Sequence, residues 1–447
     1  MYLGKSVFMV VGISRSGVAA TEFLLSKGAK CYIFDELNSE GISASMDMLE
    51  KKGAVKVPAD KAEDTVSLAD VLVLSPGVPI DNRIPLRAKK EGKRIIGELE
   101  LGYLYSVCPI VAVTGTNGKT TCCSMIGDVL EKAKIEHRLV GNIGVPFTSE
   151  MASFNENVIA VTEVSSFQLE TLSAFNPHIA VVTNISEDHL SRHYNMQNYV
   201  FLKSKILFNL RESEFAVLNY DDFLVRGFSE KTKGKIVYFS LREKVEGAFV
   251  EDGVIKFMGE SVLDTRLIKL GGEHNLYNAL AAVCVGKLLG IDNNTVAEAI
   301  IEFRGIKHRI QFVCSRGGVD YYNDSKATNV DSTLKALGSM SKPVVLLLGG
   351  KDKGQNFDPL LSACKSAGVA KVILFGETRF KMLKSCEREE YENFCVATDM
   401  NSAVNLARAE AKEGQCVLLS PACASFDEFS GYEERGEKFC ALAESFS

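Results

Sequence analysis

Gly115-Thr116-Asn117-Gly118-Lys119-Thr120-Thr121 stands directly behind the apolar run Ile110-Val111-Ala112-Val113 and ahead of Met125, Ile126, Val129 and Leu130, which recur at helical spacing. A short β-rich run, a glycine loop and a helix in that order predict strand, phosphate loop and helix. The N–H groups of such a loop and the positive end of the helix dipole can cradle a polyphosphate. Lys119 would add a point charge near the outer phosphates, and the Thr120 hydroxyl would offer an oxygen to Mg²⁺. The full phosphate-loop pattern carries another Gly six places before the Lys, where this chain has Val113, so the loop is a shortened variant. The bland alternative is a strand-to-helix turn in which Gly merely supplies φ > 0.

At 447 residues the chain exceeds the size at which one core stops growing, which predicts two or three domains. A net charge of −6 argues against nucleic acid or a membrane surface as the main partner. No apolar run reaches membrane-spanning length, and the first residues enter a strand-like run with no signal peptide ahead, so the expected location is cytoplasmic. Twelve cysteines lie scattered without a CxxC pair, which predicts reduced thiols acting as small apolar residues.

The expected fold class is α/β throughout. A strand over 7–11, the turn Gly12-Ile13-Ser14-Arg15-Ser16-Gly17, a helix over 18–26 and a strand over 30–35 predict a Rossmann-like first domain. Asp35 stands where a dinucleotide fingerprint has its acid, but Ser14 replaces the glycine that lets the backbone approach a pyrophosphate. Another nucleotide-like anion therefore suits this turn better than a nicotinamide cofactor. A further strand over 70–74 ends at Ser75-Pro76-Gly77-Val78-Pro79, and strand-end loops are where such sheets bind ligands.

After Gly97 a second unit begins. Its strands over 158–162 and 178–182 run into Glu163 and into the stretch that ends in Asp188 and His189. In a parallel sheet both would emerge at the same edge as Lys119. In the helix over about 198–210, a turn of 100° per residue puts Lys203 among Tyr199, Ile206, Leu207 and Leu210 on the apolar face, while Lys205 points elsewhere. Such a cation must snorkel, find a partner or lose its charge. Asn275 and Asn278 share a face of an Ala-rich helix, where they either pair with an adenine edge or cap the helix. A third α/β unit follows, with strand-end loops at 323–329, 349–354 and 420–429 whose polar and basic residues suit an anionic substrate.

GTNGKTT at 115–121, EVSSFQLE at 163–170, NDSKATN at 323–329 and SPACASFDEF at 420–429 together resemble the Mur ligase family, ATP-dependent amide-forming enzymes of peptidoglycan synthesis. The last three favour the members that add D-glutamate over those that add L-alanine or a diamino acid. The resemblance implies three domains: 1–97 for a UDP-sugar, a central phosphate-loop ATPase-like domain of mostly parallel sheet over 98–304, and a Rossmann-like amino-acid-binding domain over 305–447. It implies small-molecule partners only, namely ATP, UDP-N-acetylmuramoyl-L-alanine and D-glutamate, and a monomer without nucleic acid or membrane insertion. Gly115, Thr116, Asn117, Gly118, Lys119, Thr120, Thr121, Asn275, Asn278, Arg309 and Asp324 would bind ATP, with Lys119 and Lys326 at the γ-phosphate.

By the same resemblance Thr120 and Glu163 would ligate one Mg²⁺, and His189 with a carbamylated Lys203 a second, Mn²⁺ substituting for either. Lys119, His189, Lys203 and Lys326 would be the catalytic set. A carbamate, made from CO₂ and the neutral amine, presents the oxygens a hard cation needs. Ser14, Arg15, Asp35, Ser75 and Asn142 would line the UDP-sugar path, with Glu36 beside them. Thr328, Lys353, Ser425 and Phe426 would bind D-glutamate near Tyr432, with Lys351 as a rival to Lys353. Competing readings are a nicotinamide oxidoreductase built on residues 12–35, a nucleotide-gated interaction protein, and a folate polyglutamylating relative.

Overall fold

Val7–Val11 (β1), Lys30–Phe34 (β2), Val55–Lys56 (β3), Val71–Leu74 (β4) and Arg94–Gly97 (β5) form a sheet in the order β3-β2-β1-β4-β5. Every pairing is parallel, as the strand–helix alternation requires. The helix after the glycine turn spans Arg15–Ser26, starting earlier than the apolar pattern suggests. Gly17 lies inside it, where a Cβ would meet the Gly12 carbonyl at 1.8 Å. The turn and the helix start are thus pressed together, and only a residue without a side chain fits there.

The computed structural model describes residues 3–270, 272–352 and 354–445. The chain divides into the units Met1–Phe303 and Arg304–Ser447. A second sheet completes the first unit: Ile110–Thr114 (β6), His137–Gly141 (β7), Ile159–Glu163 (β8), Ile179–Val182 (β9), Phe215–Asn219 (β10), Lys235–Ser240 (β11), Gly247–Glu251 (β12), Val254–Phe257 (β13) and Glu260–Asp264 (β14). Its order is β14-β13-β12-β11-β10-β9-β6-β8-β7. Strands β6 to β12 pair in parallel, and from the hairpin over Asp252-Gly253 onward the pairings β12–β13 and β13–β14 are antiparallel.

β6 lies between β8 and β9 and parallel to both, so the loop after Thr114, the Glu163 end of β8 and the segment after Val182 share one edge. Helix Lys119–Lys132 backs this edge with Met125, Ile126, Val129 and Leu130, all buried in one cluster with Ala279, Leu280, Ala282 and Val283 of helix Glu273–Leu288. The small alanines let the two helices approach closely, and each large buried side chain contributes roughly 1.5–3 kcal/mol. The two sheets of this unit are tied by Glu100, 0 % exposed, which accepts bonds from the N–H groups of Ser173, Ala174 and Phe175 and from the Ser173 hydroxyl.

In the second unit Gln311–Arg316 (β15), Val319–Asn323 (β16), Val344–Gly349 (β17), Lys371–Phe375 (β18), Phe394–Val396 (β19) and Cys416–Leu419 (β20) are ordered β15-β16-β20-β17-β18-β19. All but the hairpin strand β15 run parallel. Because β16, β20 and β17 are neighbours, the three loops singled out above leave adjacent strand ends. The twelve cysteines are free, as expected of apolar fillers, and burial pushes the Cys31 thiol up to about 12.

Candidate active site

The loop between β6 and helix Lys119–Lys132 is held from below by the segment after β9. Thr116 N–H donates to the Asn184 carbonyl at 2.8 Å, Asn117 N–H to Asn184 Oδ1 at 2.9 Å, and the Asn117 carbonyl accepts from Thr183 Oγ1 at 2.7 Å and Asn184 Nδ2 at 3.0 Å. The Thr116 hydroxyl donates to the Ser186 carbonyl at 3.1 Å and lies 3.0 Å from the Tyr199 hydroxyl. Gly118 caps the helix at φ 81° and abuts Asn278, whose Oδ1 would stand 2.5 Å from a Cβ placed there. Lys119 Nζ donates to the carbonyls of Gly115 at 3.0 Å and Thr116 at 2.7 Å. Thr120 and Thr121 occupy the first turn, partly buried.

Glu163, 2 % exposed at the end of β8, accepts from Thr120 Oγ1 at 2.7 Å and from Asn142 Nδ2 at 2.8 Å. A buried carboxylate met by these neutral donors, beside a hydroxyl and at a phosphate loop, is the donor chemistry a hard divalent cation takes. These residues fit a Mg²⁺. Lys203 is 1 % exposed, as its helical phase predicts, in a helix that ends at Ser204 and continues as a tighter turn over Lys205–Leu207. Its Nζ donates to the Gly115 carbonyl at 2.7 Å and to Thr114 Oγ1 at 3.2 Å. Burial, then the neighbouring Lys119 charge, holds this amine well below the ordinary lysine range. His189 reaches the same edge at φ 52°, its ring 4.9 Å from that of Phe167 and its Nε2 3.4 Å from Asp188 Oδ2. Among the described residues no cluster of three or more His, Cys, Asp and Glu side chains is arranged to hold a metal.

Asn275 and Asn278 lie in the first two turns of helix Glu273–Leu288, 7 % and 2 % exposed. Neither is the cap, which is Gly272. Asn278 Nδ2 is a buried donor without a hydrogen-bond partner among the described residues, directly against the phosphate loop.

In the first domain Ser14 precedes helix Arg15–Ser26 and is exposed. Asp35 accepts from Ile13 N–H at 2.6 Å and Leu37 N–H at 2.8 Å, so the acid braces the glycine turn. The Ser75 hydroxyl, 3 % exposed, donates to the Gly12 carbonyl at 2.6 Å. Arg15 donates to the Gly144 carbonyl, and Glu36 pairs with Arg83 at 2.9 Å.

In the second unit Asp324 is 4 % exposed; Ser420 Oγ donates to it at 2.7 Å and Ile310 N–H at 3.2 Å. Burial pushes its carboxyl up to about 6. Arg309 is exposed nearby in the chain, and Lys326 Nζ stands 5.7 Å from the Tyr432 ring centre. Ser425 is buried, Phe426 is 67 % exposed, and the Thr328 carbonyl accepts from Gln355 at 3.5 Å. Lys351 pairs with Glu377 at 2.6 Å, and Lys353 lies outside the described residues.

Two arginines escape sequence reasoning. Arg192 forms a two-point pair with Glu170, at 3.0 and 2.7 Å. Arg435, 0 % exposed, donates to Ser325 Oγ at 2.9 Å and to the carbonyls of Ser325, Cys423 and Ala424 at 2.8, 3.0 and 3.0 Å. The only signal for either is its place in the chain, three residues after His189 and six after Phe429.

Three family descriptions match along the chain: the Mur ligase MurD-like N-terminal domain over 6–97, the Mur ligase middle domain over 113–286 and the Mur ligase glutamate ligase domain over 308–423. A UDP-N-acetylmuramoylalanine–D-glutamate ligase of Clostridioides difficile is 38 % identical, covering 98 % of this chain and 97 % of its own. The protein of that name from Caldicellulosiruptor bescii is 40 % identical over 98 % and 96 %. Among solved structures, the UDP-N-acetylmuramate-alanine ligase of Thermotoga maritima aligns over 98 % of this chain and 99 % of its own at a TM-score of 0.52 and 20 % identity, a likeness of fold. The phosphate loop, the buried Glu163 and the three matched segments agree, and the chain belongs to the Mur ligase family.

Proposed function

We propose that the chain joins D-glutamate to UDP-N-acetylmuramoyl-L-alanine with ATP, forming the dipeptide product, ADP and phosphate in peptidoglycan precursor synthesis. The observation that carries the chemistry is the buried Glu163 carboxylate hydrogen-bonded to Thr120 at the phosphate loop. The choice of amine rests on the relatives, which share this name at 37–40 % identity. A substrate carboxylate oxygen is a poor leaving group. Transfer of the γ-phosphoryl group to that carboxylate releases ADP; the D-glutamate amine then attacks the acyl carbon, loses a proton, and phosphate departs.

Lys119 and Lys326 are read as holding the γ-phosphate, with Asn275, Asn278, Arg309 and Asp324 at the rest of ATP. Thr120 and Glu163 would hold one Mg²⁺, and His189 with Lys203 as its carbamate a second. Bound there, the ions neutralise the charge that develops on the transferring phosphoryl group. A neutral lysine amine is the form that reacts with CO₂, and the burial of Lys203 favours it. Ser14, Arg15, Asp35, Ser75 and Asn142 are assigned to the UDP-sugar, and Thr328, Lys353, Ser425 and Phe426 to D-glutamate. The domains are taken as 1–97, 98–304 and 305–447, and the chain as a cytoplasmic monomer; among the described residues no helix is long and apolar enough to cross a membrane. Phosphate release with ATP and UDP-N-acetylmuramoyl-L-alanine tests the reading: it should require D-glutamate, and equal turnover with L-glutamate, or release without either, overturns it.

A further inference from the structure

Arg192 stands where the two sheets of the first unit meet through their ligand-facing loops. Its Nε and Nη2 take both oxygens of Glu170, at the end of the EVSSFQLE run. The same guanidinium donates to the carbonyl of Val78 at 3.0 Å and, at 3.5 Å, to those of Pro76 and Gly77. These carbonyls belong to the strand-end loop that begins at Ser75. The face of Phe167 lies 5.1 Å below the guanidinium. A planar fork meets two carboxylate oxygens and a row of carbonyls at once; an ammonium does not.

From Glu170 the contacts continue to the phosphate loop. His193, buried and held below the ordinary histidine range by that burial, has Nδ1 3.4 Å from Glu170 and Nε2 2.9 Å from the Ser166 hydroxyl. Its ring packs 5.5 Å from Tyr199, whose hydroxyl lies 3.0 Å from Thr116 Oγ1. The turn that carries Arg192 is flanked by two left-handed residues, His189 at φ 52° and Tyr194 at φ 68°. L-residues hold that conformation only where their surroundings fix it, so this turn is set by its contacts. A shift of the Pro76–Val78 carbonyls would therefore be felt at Glu170, His193 and Tyr199.

We propose that Arg192 is a positioning residue that makes the sugar nucleotide and ATP bind cooperatively, by tying the loop after Ser75 to the packing beneath Thr116. The inference rests on the ligase reading for the identity of the two ligands. Calorimetric titration of the full chain with UDP-N-acetylmuramoyl-L-alanine, with and without the Mg²⁺ complex of the non-hydrolysable β,γ-imido analogue of ATP, tests it. In the wild type the analogue should tighten the sugar nucleotide about tenfold, and by linkage the reverse titration should show the same factor. Arg192→Lys, which keeps the charge but not the fork, and Glu170→Gln, which approaches the tie from its other end, should each bring that factor close to one. Binding of the analogue alone should be unchanged in both. A tightening that survives in either folded variant, or is absent from the wild type, overturns the inference. A wild type that binds neither ligand overturns the ligase reading instead.

Discussion

Lys203 Nζ donates to the carbonyl of Gly115 at 2.7 Å, so the one fully buried lysine of its helix sits directly beneath the first residue of the phosphate loop. A cation shielded from water beside Lys119 is disfavoured as a cation, and its neutral amine is available to CO₂. Lys203→Ala should lower turnover by roughly a hundredfold or more, with activity returning when short-chain carboxylates supply the missing oxygens. Near-normal activity without rescue would remove the carbamate from the mechanism. Steady-state phosphate release against added formate or acetate decides between them.

Glu163 offers a second test at the same edge. In Glu163→Gln one oxygen becomes an amide donor and must face either the Thr120 hydroxyl or the Asn142 amide, both of which now donate to it. The charge is lost while the shape is kept. Turnover should drop on the order of a hundredfold to a thousandfold, and the Mg²⁺ needed for half-maximal rate should rise. The fold should lose only about 1–3 kcal/mol, the cost of mismatched buried hydrogen bonds. An unchanged Mg²⁺ requirement would separate Glu163 from the metal.

How much of this could be read from the chain alone depends on the distance between partners. β6, the glycine loop and the helix behind it are written in consecutive residues, and the burial of Lys203 follows from a 100° step along its own helix. Lys205 shows where that approach stops. Predicted to point away from Lys203, it is partly buried and its Nζ donates to the Leu169 and Glu170 carbonyls at 2.6 and 3.2 Å, partners with no local signature. The Asn275–Asn278 face was visible, but not that Asn278 leans on Gly118. Arg192 and Glu170 are 22 residues apart, Tyr199 and Thr116 83, and Arg435 and Ser325 110. Nothing in local periodicity links them. The edge strand β15 leaves little sequence signal, because its half-exposed Gln-Phe-Val-Cys-Ser-Arg gives only a weak alternation before the Gly317-Gly318 turn.

Asp324 gives the chain a pH dependence with a definite sign. Burial raises its carboxyl from an ordinary 3.8 to about 6. Between those values the folded chain keeps a proton that the unfolded chain releases. The stability from this group is therefore fully present below the unfolded value, declines as pH rises through the window, and is level above the folded value. The decline amounts to roughly 3 kcal/mol at most. Asp324→Asn removes it. Denaturant unfolding at steps from pH 4 to pH 7 should show the wild type losing stability relative to this variant, and parallel curves would rule the account out.

Arg435 is the remaining case, a guanidinium at 0 % exposure that joins the loops after β16 and β20 in the second unit. Its acceptors are a hydroxyl and three carbonyls, from residues 325, 423 and 424. Burial with such neutral partners lowers even this strongly basic group, to about 10. Arg435→Met keeps much of the volume but removes a donor from each of those acceptors, of which, among the described residues, only the Ala424 carbonyl keeps a second backbone donor, Lys351 N–H at 2.8 Å. A loss of roughly 2–5 kcal/mol is expected in the unfolding of the chain. Arg435→Lys can reach one or two of the four and should fall between. Since residue 424 precedes Ser425, assigned to D-glutamate, and residue 325 precedes Lys326, assigned to the γ-phosphate, the lysine variant should also raise the KM for D-glutamate and lower kcat together. Equal stability in all three proteins would mean that water or a rearranged loop takes over the acceptors, and that the two loops hold their places without the arginine.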